Sequence, residues 1–569
     1  MANMRMPYQC IEKCGNLLVA ARGSNIELFN LSDGSCISTW KCPITHGTSK
    51  AKPPVKEITS KLENQDSKSS SADITIETSS PPTKRRKLSG GDDQDENSAK
   101  DPKEEQKGGK KPTRKEKKKY DYRLDAVASG LEAPAVIALA VTSDAQHVIA
   151  ITGEDKSIRV FSLTCQDGVT RLNQLSQRQV LIHPSEMKCS RVMPKRPSAL
   201  TISEDNTTIL SADKFGDVYS LPLIPSPSPP PTSSTPLSTP QHPEKEKPFK
   251  PSANELTIHS QRNRKALENQ KRQKPPQPQK SEPEFEHTLL LGHVSLLTDV
   301  KLAKSGGRSY VITSDRDEHI RISRGIPQTH IIEGFCLGHT EFISRICIPD
   351  TRPEILIAGG GDDEIFVWEW EKQQLVSKAD LKSTVQEFVG GEKLVSKIAV
   401  SGISWVRSGQ KDVVLVTVEG IPALFTFHLQ DSNTLHHAQT LPLPGNALSV
   451  ATVIAAAASD GTPSNLVLIS VDSTHKPGST TELRNSDSTE EVTTTSPFQA
   501  FVFEEDGKLV QDSFALATAE GNDVAEGAVG GLRNLLYSLE NLRKRDGEEK
   551  GGGNGADVTM GEEEAAQLE

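Results

Sequence analysis

The sequence predicts an all-β fold, a seven-bladed β-propeller with long disordered insertions and a disordered acidic tail. Three observations support this prediction. A short turn-and-strand pattern recurs along the chain, and two of its copies follow a Gly-His pair at nearly equal spacing. The stretches between the copies are too polar, or too rich in proline, to join a packed sheet.

Composition limits the classes of protein to consider. The 569 residues are only 34% apolar and include 36 prolines and 40 glycines, so part of the chain is not expected to pack. The net charge of −10 argues against general nucleic-acid binding by the whole chain. No run of eighteen apolar residues and no signal-like N-terminus is present, so we expect an intracellular protein with no membrane segment.

The cysteines give no sign of a metal site or a disulfide framework. Eight are present without a C-x-x-C pair, and Cys10 and Cys14 have no second pair at zinc spacing. We expect reduced thiols in or near strands, with no metal and no small-molecule substrate on this chain.

Two internal segments and the tail are predicted to be disordered. Residues 46–121 are rich in Lys, Ser, Asp and Glu, residues 222–285 are rich in Pro, and the tail after about 545 is rich in Gly and Glu. Within the first segment, the exposed basic run Lys84, Arg85, Arg86 and Lys87 predicts nuclear import. A second basic run, 110–119, is an alternative phosphate contact, and both runs are also explained by simple solvation.

The repeat consists of an Asp, an aliphatic residue three positions later and another two further on. It is seen in "EDKSIRVFSL" (154–163), "RDEHIRIS" (316–323) and "DDEIFVWEW" (362–370), and less closely in "ADKFGDVYSL" (212–221). Asp stabilises a tight turn by accepting backbone N–H groups, and residues two apart in a strand face the same side. The predicted turn aspartates are Asp155, Asp213, Asp317 and Asp362.

A Gly-His pair precedes two of these copies. His293 and His339 lie 46 residues apart, and Asp317 and Asp362 lie 45 apart. This spacing is typical of the four-stranded blades of WD-repeat propellers, in which the histidine bonds the turn Asp and a Ser and a Trp extend the chain. We therefore assign structural roles to His293, Asp317, His339, Asp362 and Trp368.

Seven blades are predicted at roughly 7–45, 122–165, 178–223, 286–325, 332–372, 394–430 and 444–505. The domains are thus 1–45, 122–221 and 286–505, separated by the insertions 46–121 and 222–285 and followed by a tail, 506–569. The sixth and seventh blades lack a recognisable turn Asp. We expect the N-terminal strand near 8–12 to complete the last blade, and a short amphipathic helix within 529–547.

The stretch "ITSDRDEHIRIS" (312–323) is unusually charged for a strand and its turn. Asp315, Asp317 and His319 suggest an acid–base centre, but Asp317 is the turn Asp of the repeat. No phosphate-binding Gly loop, nucleophile elbow or zinc spacing is found. A nucleic-acid contact or a surface for a protein partner remain as alternatives.

The sequences of four segments are more specific than the general pattern of a blade. "LLLGHVSLLTDV" (289–300), "VITSDRDEHIRIS" (311–323) and "FCLGHTEFISRICIP" (335–349), with "SADKFGDVYSLPL" (211–223), resemble the non-catalytic WD-repeat subunit of the tRNA (guanine-N7)-methyltransferase. The resemblance is specific over about 211–223 and 286–370 and only architectural elsewhere.

The resemblance implies a scaffold role without catalysis. It implies a heterodimer with a separate catalytic subunit, which carries S-adenosylmethionine and methylates a guanine in the tRNA variable loop, and it implies a nuclear location. This chain would hold no cofactor of its own and would meet tRNA through the complex.

The resemblance also places the partner contact. Arg321 occupies the position of a basic residue that pairs with an acidic residue of the methyltransferase, and Arg316, Glu318 and His319 are expected nearby. Ser323 replaces a strand-ending Trp, so we expect a flat polar edge with Arg321 exposed. An adaptor of another assembly, such as a ubiquitin ligase, and an independent RNA-binding propeller remain as alternatives.

Overall fold

In a computed structural model, seven antiparallel sheets follow one another along the chain. The structure describes residues 6–43, 133–166, 169–176, 191–193, 195–225, 285–390, 395–454, 465–484, 496–518 and 529–544. Each sheet is a meander in which strands adjacent in sequence are also hydrogen-bonded neighbours. The predicted seven-bladed propeller is confirmed.

The first three blades contain strands β1 to β13. Blade 1 contains β1 (Tyr8–Cys14), β2 (Leu17–Arg22), β3 (Asn25–Asn30) and β4 (Cys36–Lys41). Blade 2 contains β5 (Val136–Val141), β6 (His147–Thr152), β7 (Ser157–Gln166) and β8 (Val169–Ser176), and the two-residue β9 (Arg191–Val192) pairs with β7. Blade 3 contains β10 (Pro197–Ile202), β11 (Thr208–Asp213), β12 (Asp217–Pro222) and β13 (Thr288–Gly292).

The last four blades contain strands β14 to β29. Blade 4 contains β14 (Leu297–Ser305), β15 (Arg308–Asp315), β16 (Ile320–Arg324) and β17 (Ile332–Cys336). Blade 5 contains β18 (Ile343–Cys347), β19 (Ile355–Gly360), β20 (Glu364–Glu369) and β21 (Gln374–Asp380). Blade 6 contains β22 (Val400–Ser408), β23 (Lys411–Val418), β24 (Ala423–Leu429) and β25 (Leu435–Pro442). Blade 7 contains β26 (Ala447–Ile454), β27 (Asn465–Val471), β28 (Phe498–Phe503) and β29 (Leu509–Gln511).

The predicted blade boundaries placed two strands in the wrong blade and left out the last strands of blades 2, 5 and 6. β13 pairs with β12 and so completes blade 3, and β17 pairs with β16 and completes blade 4. The reason is that each Gly-His pair follows the outermost strand of the preceding blade. The insertion 222–285 therefore falls inside blade 3, between its third and fourth strands. The propeller also extends past the predicted limit of 505, since β29 ends at Gln511.

The predicted closure of the ring by the N-terminal strand was wrong. β1 pairs with β2 as the first strand of blade 1, and blade 7 takes all four strands from the C-terminal region. The seam between blades 1 and 7 is closed by side chains instead. Tyr8 and Phe29 contact Phe498, and Leu516 belongs to the same buried cluster. The backbone N–H of Ala517 also donates to the Gly34 carbonyl.

Neighbouring blades bury the faces of each other's sheets. Ile320 and Ile322 of blade 4, for example, share one apolar cluster with Ile343 and Trp368 of blade 5. Alternate residues of an inner strand therefore point towards the preceding and the following blade. Both faces of such a strand are therefore largely buried.

Helices are few and short. α1 (Lys382–Val389) joins blade 5 to blade 6 and α2 (Val529–Leu536) follows the last strand, with 3-10 helices at Trp370–Lys372 and Leu539–Leu542. The helix predicted within 529–547 thus ends at Leu536. In the part of the chain that the structure describes, no helix has the length and apolar character needed to cross a membrane.

Candidate partner-binding surface on blade 4

The charged stretch lies in the turn that joins β15 to β16. We call residues 315–319 the blade-4 turn. Asp315 ends β15, and its carboxylate accepts the backbone N–H of His319 at 3.0 Å, which closes the turn. Glu318 has a φ of 76°, a left-handed conformation that non-glycine residues rarely adopt. The His319 side chain is 48% exposed.

The histidine of blade 4 contacts a different aspartate from the one predicted. His293 Nδ1 lies 3.3 Å from Asp315, whereas Asp317 is half-exposed and lies 3.6 Å from Lys544. Burial raises the pKa of Asp315, but hydrogen bonds from His293 and the His319 backbone outweigh it and leave the pKa below its usual value. The assignment of Asp317 as the bonded turn Asp was therefore wrong.

Blade 5 has the predicted pair in a buried form. His339 Nδ1 lies 2.8 Å from the Asp362 carboxylate, which also accepts the Thr340 N–H at 2.9 Å. Burial raises the pKa of Asp362, but the hydrogen bonds from His339 and Thr340 outweigh this effect. The pKa is therefore below its usual value, and the carboxylate stays charged. The His339 ring stacks on Phe366, and Trp368 stacks beside Phe366 in turn. A Cβ at Gly338 would lie 3.1 Å from the Trp368 ring, which is a tight contact.

The remainder of the expected network is divided between the two blades. Thr313 in blade 4 bonds His293 Nε2 at 2.8 Å, and the register places Ala358 at the equivalent position of blade 5. With no hydroxyl there, the buried His339 Nε2 and Trp368 Nε1 have no hydrogen-bond partner among the described residues. Blade 4 has the hydroxyl without the Trp, and blade 5 has the Trp without the hydroxyl.

Arg321 is buried, contrary to the predicted exposed face. It is 7% exposed, and its Nη1 donates to the Gly292 carbonyl of blade 3 at 2.8 Å. Burial lowers the pKa of its guanidinium. The prediction failed because an inner strand has a neighbouring blade on each side. The Nη2 atom makes no hydrogen bond to the described residues, and it is not fully buried.

Ser323 does not form an open polar edge either. It is fully buried and accepts a hydrogen bond from Arg321 Nε at 2.9 Å. The register aligns Arg321 with Phe366 and Ser323 with Trp368. A polar pair therefore replaces the stacked aromatic pair of blade 5.

Exposed apolar side chains lie on the strand and the turns next to this polar pair. Phe335 lies opposite Arg321 in the β16–β17 register, and its ring lies 6.3 Å from that of His319. Leu337, which is 62% exposed, follows β17, and Val294 lies fully exposed two residues after Gly292. We call His319, Arg321, Phe335, Leu337 and Val294 the blade-4 surface. Apolar groups grouped around charges are typical of a protein-binding surface.

A further buried network was missed in the sequence. Asp472 directly follows β27, and its carboxylate lies 2.6 Å from His475 Nδ1 and accepts a hydrogen bond from the Tyr537 hydroxyl. Burial raises the pKa of Asp472, but bonds from His475, Thr474 and Tyr537 lower it to about 2. Blade 7 thus does have a turn Asp. The repeat pattern did not reveal it because the next strand starts only at Phe498.

The chain matches a known family over most of its length. The family model of the tRNA methyltransferase TRM82 WD40 domain matches residues 18–496. The chain belongs to this family. A relative from Sclerotinia sclerotiorum, named as the tRNA (guanine-N(7)-)-methyltransferase non-catalytic subunit trm82, is 45% identical over 96% of this chain and 100% of its own length. A relative of the same name from Phaeosphaeria nodorum is 43% identical over 72% of this chain and 83% of its own.

Solved structures are also similar to this chain at low sequence identity. A structure of U3-55K is 11% identical and covers 85% of this chain and 94% of its own, with a TM-score of 0.42. The assignment of this chain to the TRM82 family rests on the family model and on sequence identity.

Among the described residues, the two remaining turn aspartates of this TRM82 family member have no histidine partner. Asp155 pairs with Arg159 at 2.7 Å and accepts the Thr152 hydroxyl. Asp213 accepts the backbone N–H groups of Phe215 and Asp217, and burial raises its pKa. Both therefore close turns, by different contacts from those of Asp362.

The structure gives less information about the other predicted sites. Lys84, Arg85, Arg86 and Lys87 lie outside the described residues. Six of the cysteines are free thiols, namely Cys10, Cys14, Cys36, Cys42, Cys336 and Cys347. No metal-ligating cluster of three occurs among the described residues.

Proposed function

We propose that this chain is the non-catalytic subunit of a tRNA (guanine-N7)-methyltransferase and binds the catalytic subunit as a heterodimer. The observation that carries the proposal is the 45% identity to a subunit of that name over the whole length of the relative. The chain supports formation of N7-methylguanosine in tRNA by stabilising the active shape of its partner. S-adenosylmethionine belongs on the catalytic subunit.

The contacts of the blade-4 turn favour binding over acid–base chemistry. The Asp315 carboxylate accepts bonds from His293 and from the His319 backbone, and Asp317 pairs with Lys544. Asp315 closes the turn and Asp317 pairs with a lysine, so an acid–base role would require both carboxylates to release these partners.

The blade-4 surface is the proposed docking site for the catalytic subunit. Exposed Phe335, Leu337 and Val294 supply apolar area that a partner can cover. The unpaired Nη2 of Arg321 is available to a carboxylate of the partner, while Nε and Nη1 hold the side chain in place. The nuclear location is proposed from the basic run 84–87 alone.

Reconstitution tests the function. The purified chain alone should neither bind S-adenosylmethionine nor methylate tRNA, and addition of the catalytic subunit should give N7-methylation well above that of the catalytic subunit alone. Cofactor binding by the isolated chain would contradict the proposal. Purification from cells with ligase subunits, or with RNA and no methyltransferase, would favour the adaptor or the independent RNA-binding propeller.

The location is tested separately. Deletion of residues 50–118 should leave the melting temperature of the propeller unchanged, because the segment has few apolar residues to bury. The deleted protein should lose nuclear accumulation. A loss of tRNA affinity in the complex with normal localisation would replace import by phosphate contact.

A further inference from the structure

The C-terminal residues 537–544, which we call the C-terminal strap, run over four blades in reverse order. Tyr537 is buried against Asp472 and Asn446 of blade 7. The Glu419 carboxylate of blade 6 then accepts the backbone N–H groups of Leu539 and Glu540 at 3.0 and 3.1 Å. The strap is therefore fastened to the propeller before it reaches blade 5.

Arg543 is the central anchor of the strap. Its guanidinium donates to the carbonyls of Gly361 and Ile398, pairs with Glu341 at 2.9 Å and lies over the Phe342 ring. These contacts join blade 5 to the start of blade 6. They fix the direction in which the next residues leave.

The strap ends on the blade-4 turn. Arg316 Nε donates to the Leu542 carbonyl at 2.8 Å, and Lys544 Nζ lies 2.8 Å from Glu318 and 3.6 Å from Asp317. All three residues at the tip of the turn are thus held by the strap. The hydrogen bond to Glu318 raises the pKa of Lys544, so the lysine is charged at neutral pH.

Two properties of the turn make this contact relevant to partner binding. Glu318 adopts a left-handed conformation, and neighbouring contacts must offset the free-energy cost of that conformation. It also directly precedes His319 of the blade-4 surface. In addition, Asp317 and Glu318 place two negative charges in the turn that leads into the strand of Arg321, and Lys544 offsets their repulsion of an acidic partner.

We propose that the C-terminal strap is a positioning element for the partner, in which Lys544 holds the blade-4 turn in the conformation that the catalytic subunit recognises. This inference rests on the proposed function. Lys544 acts through Glu318 and Asp317 and does not itself contact the partner. Because the pair is half-exposed, its effect on global stability is small, and its effect on the turn is local.

A charge-swap cycle tests the proposal. Lys544→Glu and Glu318→Lys should each weaken binding of the catalytic subunit by about tenfold. The double variant should recover most of the lost affinity, because the pair is restored with reversed charges. Lys508→Glu is the matched control, since Lys508 forms a similar exposed pair with Asp506 on blade 7. The control should bind normally, and all four proteins should melt within a few degrees of the wild type.

A second readout uses the isolated chain. Amide hydrogen exchange of residues 316–320 should be faster in Lys544→Glu than in the wild type and normal in the double variant. Unchanged exchange would overturn the positioning role, as would loss of binding that the double variant does not recover. Normal binding by Lys544→Glu while the wild type binds would reject this inference alone. Failure of the wild type to bind would reject the proposed function as well.

Discussion

Arg321 and Ser323 form a buried hydrogen-bonded pair, Nε to Oγ at 2.9 Å, at the positions where blade 5 stacks Phe366 on Trp368. The pair lies against the Gly292 carbonyl, which accepts from Arg321 Nη1. Arg321 thus joins blade 3 to blade 4 and presents only its remaining nitrogen for other contacts.

Arg321→Glu should lower stability as well as partner binding. A carboxylate at this position would face the Gly292 carbonyl without a donor, which costs about 2–4 kcal/mol of unfolding free energy. Chemical denaturation measures the loss. Arg308→Glu, at an exposed position of the same blade, should leave stability unchanged. A normal denaturation midpoint for Arg321→Glu would contradict the buried role.

Ala358→Ser should stabilise blade 5. A hydroxyl at this position would lie where Thr313 lies in blade 4, and it would donate to the buried His339 Nε2 or accept from the buried Trp368 Nε1–H. Satisfying one buried polar group is worth about 1 kcal/mol. Ala358→Cys adds a side chain of similar size with weak hydrogen bonding and should give no such gain. Equal melting temperatures of the two variants would refute the prediction.

The Asp472 network should make stability depend on acid. The native pKa of about 2 lies below the usual value of 3.8, so the contribution is complete above about pH 4 and is lost as pH falls towards 2. The shift corresponds to about 2 kcal/mol. Unfolding free energies measured from pH 2 to 7 should converge for the wild type and Asp472→Asn at the acidic end. A constant difference across that range would exclude the linkage.

Leu337→Asp should weaken binding of the catalytic subunit. The side chain is exposed on the blade-4 surface, so the fold should tolerate the charge, while covering an unpaired carboxylate at an interface is unfavourable. A loss of about tenfold or more in affinity is expected. Val510→Asp, at an exposed apolar position of blade 7, is the matched control and should bind normally. Equal affinities for both variants would move the docking site elsewhere.

The repeat spacing was sufficient to predict seven blades and the His339–Asp362 pair, because turn and strand lengths are nearly constant from blade 4 to blade 5. It was not sufficient to select between Asp315 and Asp317. The two lie two residues apart in one turn, and the choice depends on where β15 ends, which the offset from Ile320 does not reveal.

The burial of Arg321 could not be predicted from the sequence pattern, for a different reason. Alternation along a strand shows which residues share a face, but it does not show what covers that face. The C-terminal strap was unpredictable for a similar reason. Its contacts depend on single side chains, such as Tyr537 and Arg543, that meet blade residues 65 to 202 positions away.

The consecutive order of strands within every blade has a consequence for how the ring assembles. Because β1 to β4 form blade 1 by themselves, this sheet can complete its hydrogen bonds during synthesis, long before blade 7 leaves the ribosome. Only the contacts at the seam must wait for the end of the chain. A circularly permuted protein that begins at blade 2, with its old termini joined by a flexible linker, should therefore keep all seven sheets intact.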